Sequence, residues 1–274
     1  MSAVVTAAIR SLSFLGAFAA SMLAATPSSA ADDEELQKKL ANPIADLVSV
    51  PVQLTTTGDT GPLRRPQHTL NLQPVYPMGL GSGVLIHRLI VPLLSNPADA
   101  PGQDRQNGLG DITYEAFYSA APDAATIWAV GPIVQMRTAT DDRLGSGKWA
   151  AGPAVVFLRQ PGQWSYGALV TQLWSFAGDD NRRSVNRMQL QPILSYRLNA
   201  RHTVGYLGTI TADWEESRSS QRWTVPLGLS WSALVKRGSG APVNYVVGAG
   251  YNVVHPDNAG TWFLRLQMTF IFPK

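Results

Sequence analysis

The stretch from Thr261 to Phe272 constrains this chain more than any other. One set of alternate positions reads Trp262, Leu264, Leu266, Met268, Phe270 and Phe272, and the other reads Phe263, Arg265, Gln267, Thr269 and Ile271. Successive side chains of a strand point to opposite faces, so the alternation predicts a strand with one wholly apolar face. That face opens with Trp and closes with Phe, at the two levels where a bilayer carries its aromatic belts. A half-buried strand of a soluble β-sandwich shares the period. What separates the two readings is whether the pattern recurs.

It does recur. Trp223, Val225, Leu227, Leu229 and Trp231 alternate with Thr224, Pro226, Gly228, Ser230 and Ser232. The distance from Trp223 to Trp231 is about 26 Å along a strand and, at a tilt of about 40°, about 20 Å of membrane normal, close to the apolar band of a barrel. Met188, Leu190, Pro192, Leu194, Tyr196 and Leu198 form a third such face, and Val243, Tyr245, Val247, Ala249, Tyr251 and Val253 a fourth. From Leu47 onward twelve segments read this way: 47–57, 68–77, 82–93, 108–119, 125–137, 148–159, 163–176, 184–198, 202–213, 221–233, 242–254 and 260–272. An even number returns both ends of a barrel to one side of the membrane. Connections after odd segments are mostly long and polar, while those after even ones include Gln160-Pro161-Gly162 and Asn199-Ala200-Arg201, the pattern of long outer loops and short periplasmic turns. The expected fold is all-β: a transmembrane antiparallel up-and-down β-barrel of about 12 strands over residues 47–274.

The N-terminus agrees with that compartment. Arg10, the apolar run Leu12–Ala25 and the small residues Ser28-Ser29-Ala30 have the anatomy of a secretory signal peptide over 1–30, which makes Ala31 the expected mature start. Residues 31–46 predict a short periplasmic helical segment, acidic at Asp32-Asp33-Glu34-Glu35, basic at Lys38-Lys39 and apolar at Leu36, Leu40 and Ile44. It either caps the lower mouth of the barrel or inserts into the lumen and gates it. The chain has no cysteine, so it has neither a lipobox nor a disulfide framework. Charged residues make up 15%, below the roughly 25% of soluble domains, as a lipid-facing surface requires. The formal charge of +3 falls by one when Arg10 leaves with the leader, and no basic cluster calls for nucleic acid. The compartment indicated is the outer membrane of a Gram-negative bacterium, with its lipid and lipopolysaccharide as partners.

Three features strain the pattern. Prolines 51, 74, 92, 132, 153, 192 and 226 fall inside proposed strands, where each removes a ladder hydrogen bond, and bulges are expected there. Gln172 falls on a lipid face. Residues 84–94 are apolar on both faces apart from His87 and Arg88.

No catalytic or metal constellation emerges. His68, His87, His202 and His255 stand apart, without metal-ligand spacing and without a serine in an activating motif beside them, so neither a metal, a cofactor nor a hydrolase triad is expected. The acid pairs Asp141-Asp142, Asp179-Asp180 and Glu215-Glu216 fall in outer loops, where such residues form turns and solvated surface. Chemistry collects instead on the inward face, where Arg88, Asp111, Glu115, Arg137, Arg187, Asp213, Arg222 and Arg265 are the expected lumen-lining and permeation residues. A charge facing lipid near the midplane costs roughly 2–4 kcal/mol, which forces them inward. Gly131, Gly152, Gly167, Gly205, Gly228, Gly248 and Gly250 point the same way and are expected to leave space.

The residues LQKKLANPIADLVSVP (36–51), GLGDI (108–112), TATDDRLGSGKWAAGP (138–153), LWSFAGDD (173–180) and WTVPL (223–227) together resemble a family of Gram-negative outer-membrane transporter-like barrels. It is the group linked to the MetA pathway of phenol degradation, some of whose members carry the misapplied label neuromedin U. The resemblance spans the mature chain and implies the barrel fold and transport of small, aromatic or hydrophobic molecules, with no catalytic residues to carry over. The expected function is a passive channel for a small-molecule permeant and not an enzyme. The alternatives are a structural or surface-interaction barrel with a plugged lumen and, third, an outer-membrane hydrolase.

Overall fold

Strands in lipid satisfy their backbone groups only by closing on one another. The computed structural model, which describes residues 30–121, 125–236 and 241–272, shows that closure. After helix α1 (Ala30–Leu40) come β1 (Val48–Thr60), β2 (Arg65–Leu72), β3 (Val75–Leu80), β4 (Gly83–Asn96), β5 (Gln106–Leu109), β6 (Thr113–Ser119), β7 (Thr126–Gln135) and β8 (Lys148–Arg159). There follow β9 (Trp164–Gly178), β10 (Asn186–Arg197), β11 (His202–Tyr206), β12 (Ile210–Asp213), the one-turn α2 (Ser219–Arg222), β13 (Trp223–Val235), β14 (Val243–Val254) and β15 (Trp262–Phe272). Each span pairs antiparallel with the spans before and after it, and β15 returns to β1 from Val48↔Phe272 to Gly58↔Trp262. The fifteen pieces make twelve spans, because β2/β3, β5/β6 and β11/β12 are single crossings broken at Gln73-Pro74, Gly110–Ile112 and Leu207–Thr209. Of the expected signal peptide, residues 1–29 lie outside the described residues and Ala30 begins α1.

The faces fall as the alternation predicts. Leu227, Leu229 and Leu264 are 60%, 67% and 50% exposed on the lipid side, while Phe263, Thr269 and Ile271 between such positions are buried. Gln172, out of place on its lipid face, is satisfied laterally: its Nε2 donates to Asn186 Oδ1 at 3.0 Å and its Oε1 accepts from Trp214 Nε1 at 3.2 Å.

Of the prolines, only Pro226 sits at a register shift, and Pro74 ends a strand piece. Pro132 and Pro153 face each other across β7 and β8 without any shift. The ladder instead lapses beside them: the β6–β7 register passes from Glu115↔Ile133 to Tyr118↔Val130, and the β8–β9 register from Ala151↔Trp174 to Ala154↔Thr171. The adjacent glycines let the backbones close on these gaps. A Cβ on Gly131 would lie 1.6 Å from Ala116 O, and one on Gly152 1.8 Å from Gln172 O. These glycines therefore admit neighbouring backbone rather than open the lumen, which corrects the expectation from sequence. Gly167, Gly228 and Gly250 are likewise crowded by backbone. Gly131→Ala is expected to cost about 1–3 kcal/mol by overpacking against main chain that cannot yield, measured as a lowered midpoint of urea unfolding in vesicles.

Helix α1 is seated in the mouth that carries the short turns, the periplasmic end of such barrels. Its buried face is polar. Asp33 and Gln37 are 1% and 2% exposed, whereas Leu36 is only half-buried. The reason is the seat: Gln37 Nε2 donates to Arg201 O at 2.8 Å, Thr203 Oγ1 donates to Gln37 Oε1, and Gln160 Nε2 donates to Lys38 O at 2.8 Å. The chain then runs up the lumen wall, and fully buried Ile44 packs into the cluster of Ile86, Phe117, Ile127 and Ile133. The helix thus sits in the lower mouth, and the stretch that follows it borders the lumen.

Candidate functional site

Above α1 the lumen holds a cavity of about 590 Å³. Of the eight residues read from sequence, Arg88, Glu115, Arg187 and Arg265 line it together. Arg88 and Glu115 sit directly opposite in the β4–β6 register and form an ion pair at 3.4 Å, with a second Arg88 nitrogen donating to Gln73 Oε1 at 2.9 Å. Arg265 Nε donates to Thr55 Oγ1 at 3.2 Å on the neighbouring β1. Arg187 reaches across β9 and β8 to donate to Gln135 Oε1 on β7 at 2.8 Å, a reach that the small side chain of Ala150, opposite Gln135, leaves room for. Among the described residues neither Arg187 nor Arg265 makes an ion pair, although Asp213 sits opposite Arg187 in the β10–β12 register.

The other four lie elsewhere. Asp111 organises the 136–147 loop: it accepts from Ser146 N at 2.7 Å, Ser146 Oγ at 2.8 Å and Ala139 N at 3.3 Å. Asp213 faces Arg187 in the β10–β12 register but pairs with Arg183 at 3.2 Å, beside an outer pocket of about 220 Å³. Arg137 lies beyond the end of β7, in the outer loop, 4.0 Å from Asp179. Arg222 closes α2, donating to Glu216 O at 2.9 Å and stacking 5.6 Å over the Trp214 ring. Neither Arg137 nor Arg222 lines the cavity. Both sit where a strand has ended, so strand alternation no longer sets their direction.

Sequence reading missed the outer boundary of the cavity. Arg187 borders both the central cavity and the outer pocket, and Gln135 holds it while also donating to Ser146 Oγ at 2.8 Å. It also missed the lower boundary, where Asp33 meets Arg201 at 2.9 Å and Lys236 at 2.6 Å. An i, i+4 pair of polar residues, Asp33 and Gln37, was the available signal. At the outer rim, burial and then the charge of Arg65 lower the Arg105 guanidinium from its ordinary value, while it donates to Ser95 O at 2.7 Å. Among the described residues no three His, Asp or Glu side chains gather as a metal site.

No curated protein matches the chain in sequence. Among solved structures it is similar to an outer membrane channel from Pseudomonas putida F1, with a TM-score of 0.59 and 15% identity over 84% of this chain and 96% of that one. It is also similar to the NanC porin, with a TM-score of 0.54 and 12% identity over 82% of this chain and all of that one. At these identities the likeness is one of fold. A family model matches residues 67–235, more than half of the chain and most of the barrel. A twelve-span barrel of the Gram-negative outer membrane, the chain belongs to the family described as "Putative MetA-pathway of phenol degradation".

Proposed function

We propose that the protein is a passive channel that lets small solutes cross the outer membrane through its lumen, and that it is not an enzyme. The observation that carries this is the polar cavity of about 590 Å³ above the seated N-terminal segment, with Arg187 and Arg265 on its wall. A barrel whose lumen served only stability would fill that volume with side chains, since interiors otherwise pack densely. The channel and porin among the structural relatives lend the reading support. Hydrophobic permeants rest on family resemblance alone. Lipid and lipopolysaccharide cover the outer wall.

The plugged barrel is the second reading, favoured by the buried seat of α1. Planar-bilayer recording of the full mature chain separates the two: small, steady unitary conductance is expected, and a silent, correctly folded barrel would leave the plugged reading standing. Arg187 and Arg222 make the sharper comparison. An arginine in a narrow polar passage keeps its charge and favours anions. Under a salt gradient, Arg187→Gln is expected to move the reversal potential toward zero selectivity, while Arg222→Gln, on a residue outside the cavity, leaves it unchanged.

A further inference from the structure

The cavity wall is unusually short of internal partners. Gln53, Asn71, Gln189 and Gln191 line it, half-buried, and among the described residues their carboxamides make no side-chain hydrogen bond. Arg187 uses one terminal nitrogen on Gln135 while its buried Nε has no hydrogen-bond partner among the described residues, and among them Arg265 donates only through Nε, to Thr55. Arg88 is the exception, neutralised by Glu115. The wall is mixed: beside the carboxamides it carries half-buried Val75, Ile90, Ile193, Tyr206 and Val246, while Ile133, Leu169 and Leu173 turn into the buried cluster behind.

This pattern selects a solute chemistry. A carboxamide offers donors and an acceptor together, the complement of a hydroxyl that both gives and takes a hydrogen bond. A guanidinium with free nitrogens and no ion pair is the complement of a carboxylate. Resting on the channel reading, we infer that the lumen is a selectivity site for small polyhydroxylated carboxylates, sugar acids by chemical class. Arg187 and Arg265 take the carboxylate, and Gln53, Asn71, Gln189 and Gln191 take the hydroxyls.

The test is efflux of radiolabelled solutes from vesicles of outer-membrane lipid containing the full mature chain. Glucuronate supplies both features, glucose only the hydroxyls, and benzoate the carboxylate on an apolar ring. Glucuronate is expected to leave about ten-fold faster than glucose and faster than benzoate above the protein-free rate, the discrimination of one charge-assisted contact. Arg187→Gln with Arg265→Gln should erase the advantage over glucose while glucose efflux persists, and Gln189→Leu with Gln191→Leu should slow both sugars relative to benzoate. Equal rates for glucuronate and glucose, or faster protein-dependent benzoate, overturn the inference and leave the channel standing. No protein-dependent efflux of any solute from vesicles with folded barrel overturns the channel reading itself.

Discussion

Leu227→Arg is expected to remove about 2–4 kcal/mol of folding stability in a bilayer, the cost of a cation at the lipid midplane. Leu227 lies within β13, 60% exposed on the outer face, with the aromatic rings of Trp223 and Trp231 four residues away on either side of it along the strand. An arginine stem there is too short to bring its charge to either headgroup level without bending the membrane to meet it. Ser230→Arg, three residues on, enters the cavity and meets water. Chemical unfolding from vesicles should show a lowered midpoint for the first and little change for the second. Equal tolerance of the two would mean that β13 is out of register by one residue, which exchanges every lipid-facing and lumen-facing side chain.

Removing the carboxylate of Asp33 is expected to cost the N-terminal segment about 2–4 kcal/mol of docking free energy and the barrel almost nothing. Asp33 is 1% exposed and serves two cations, Arg201 and Lys236, at 2.9 Å and 2.6 Å. Taking one member from a buried ion cluster typically costs 3–5 kcal/mol. The estimate stands lower because the two cations keep 32% and 21% of their side-chain surface in water. Asp33→Ala should leave unheated electrophoretic migration as it is, open the 31–46 segment to added protease, and raise unitary conductance. A segment that stays protected at unchanged conductance would show that Ile44 and Gln37 hold it without the charge.

All twelve spans, and the direction of side chains well inside them, were legible in the sequence, because the two solvents of a barrel wall, lipid and water, impose a period that neither Gln172 nor the prolines interrupt for long. Composition could not show what neighbours do for one another. Gln172 needed Asn186 and Trp214, and Pro132 and Pro153 needed a lapse in the ladder with glycine beside it. Residues inside strands, Arg88, Glu115, Arg187 and Arg265, were found in the cavity because periodicity fixes a direction. Arg137 and Arg222 lie past the ends of strands, and their direction depends on Asp179 and Glu216, far away or across a turn. The helix was read by its leucines, but its seat is built of polar turns, so the face that carries Asp33 and Gln37 went inward.

That seat has a consequence for how the molecule is made. Helix α1 precedes every strand in the chain, yet its partners, Gln160, Arg201 and Lys236, stand 122 to 203 positions later, on turns that exist only once β8 through β14 have paired. The segment that precedes the strands therefore docks last. Until β13 and β14 form their turn, it has an incomplete floor and remains accessible to the periplasm as a free leading strand of chain. Protection of 31–46 from protease thus serves as a clock for the end of assembly, rising only after the barrel has become resistant to detergent.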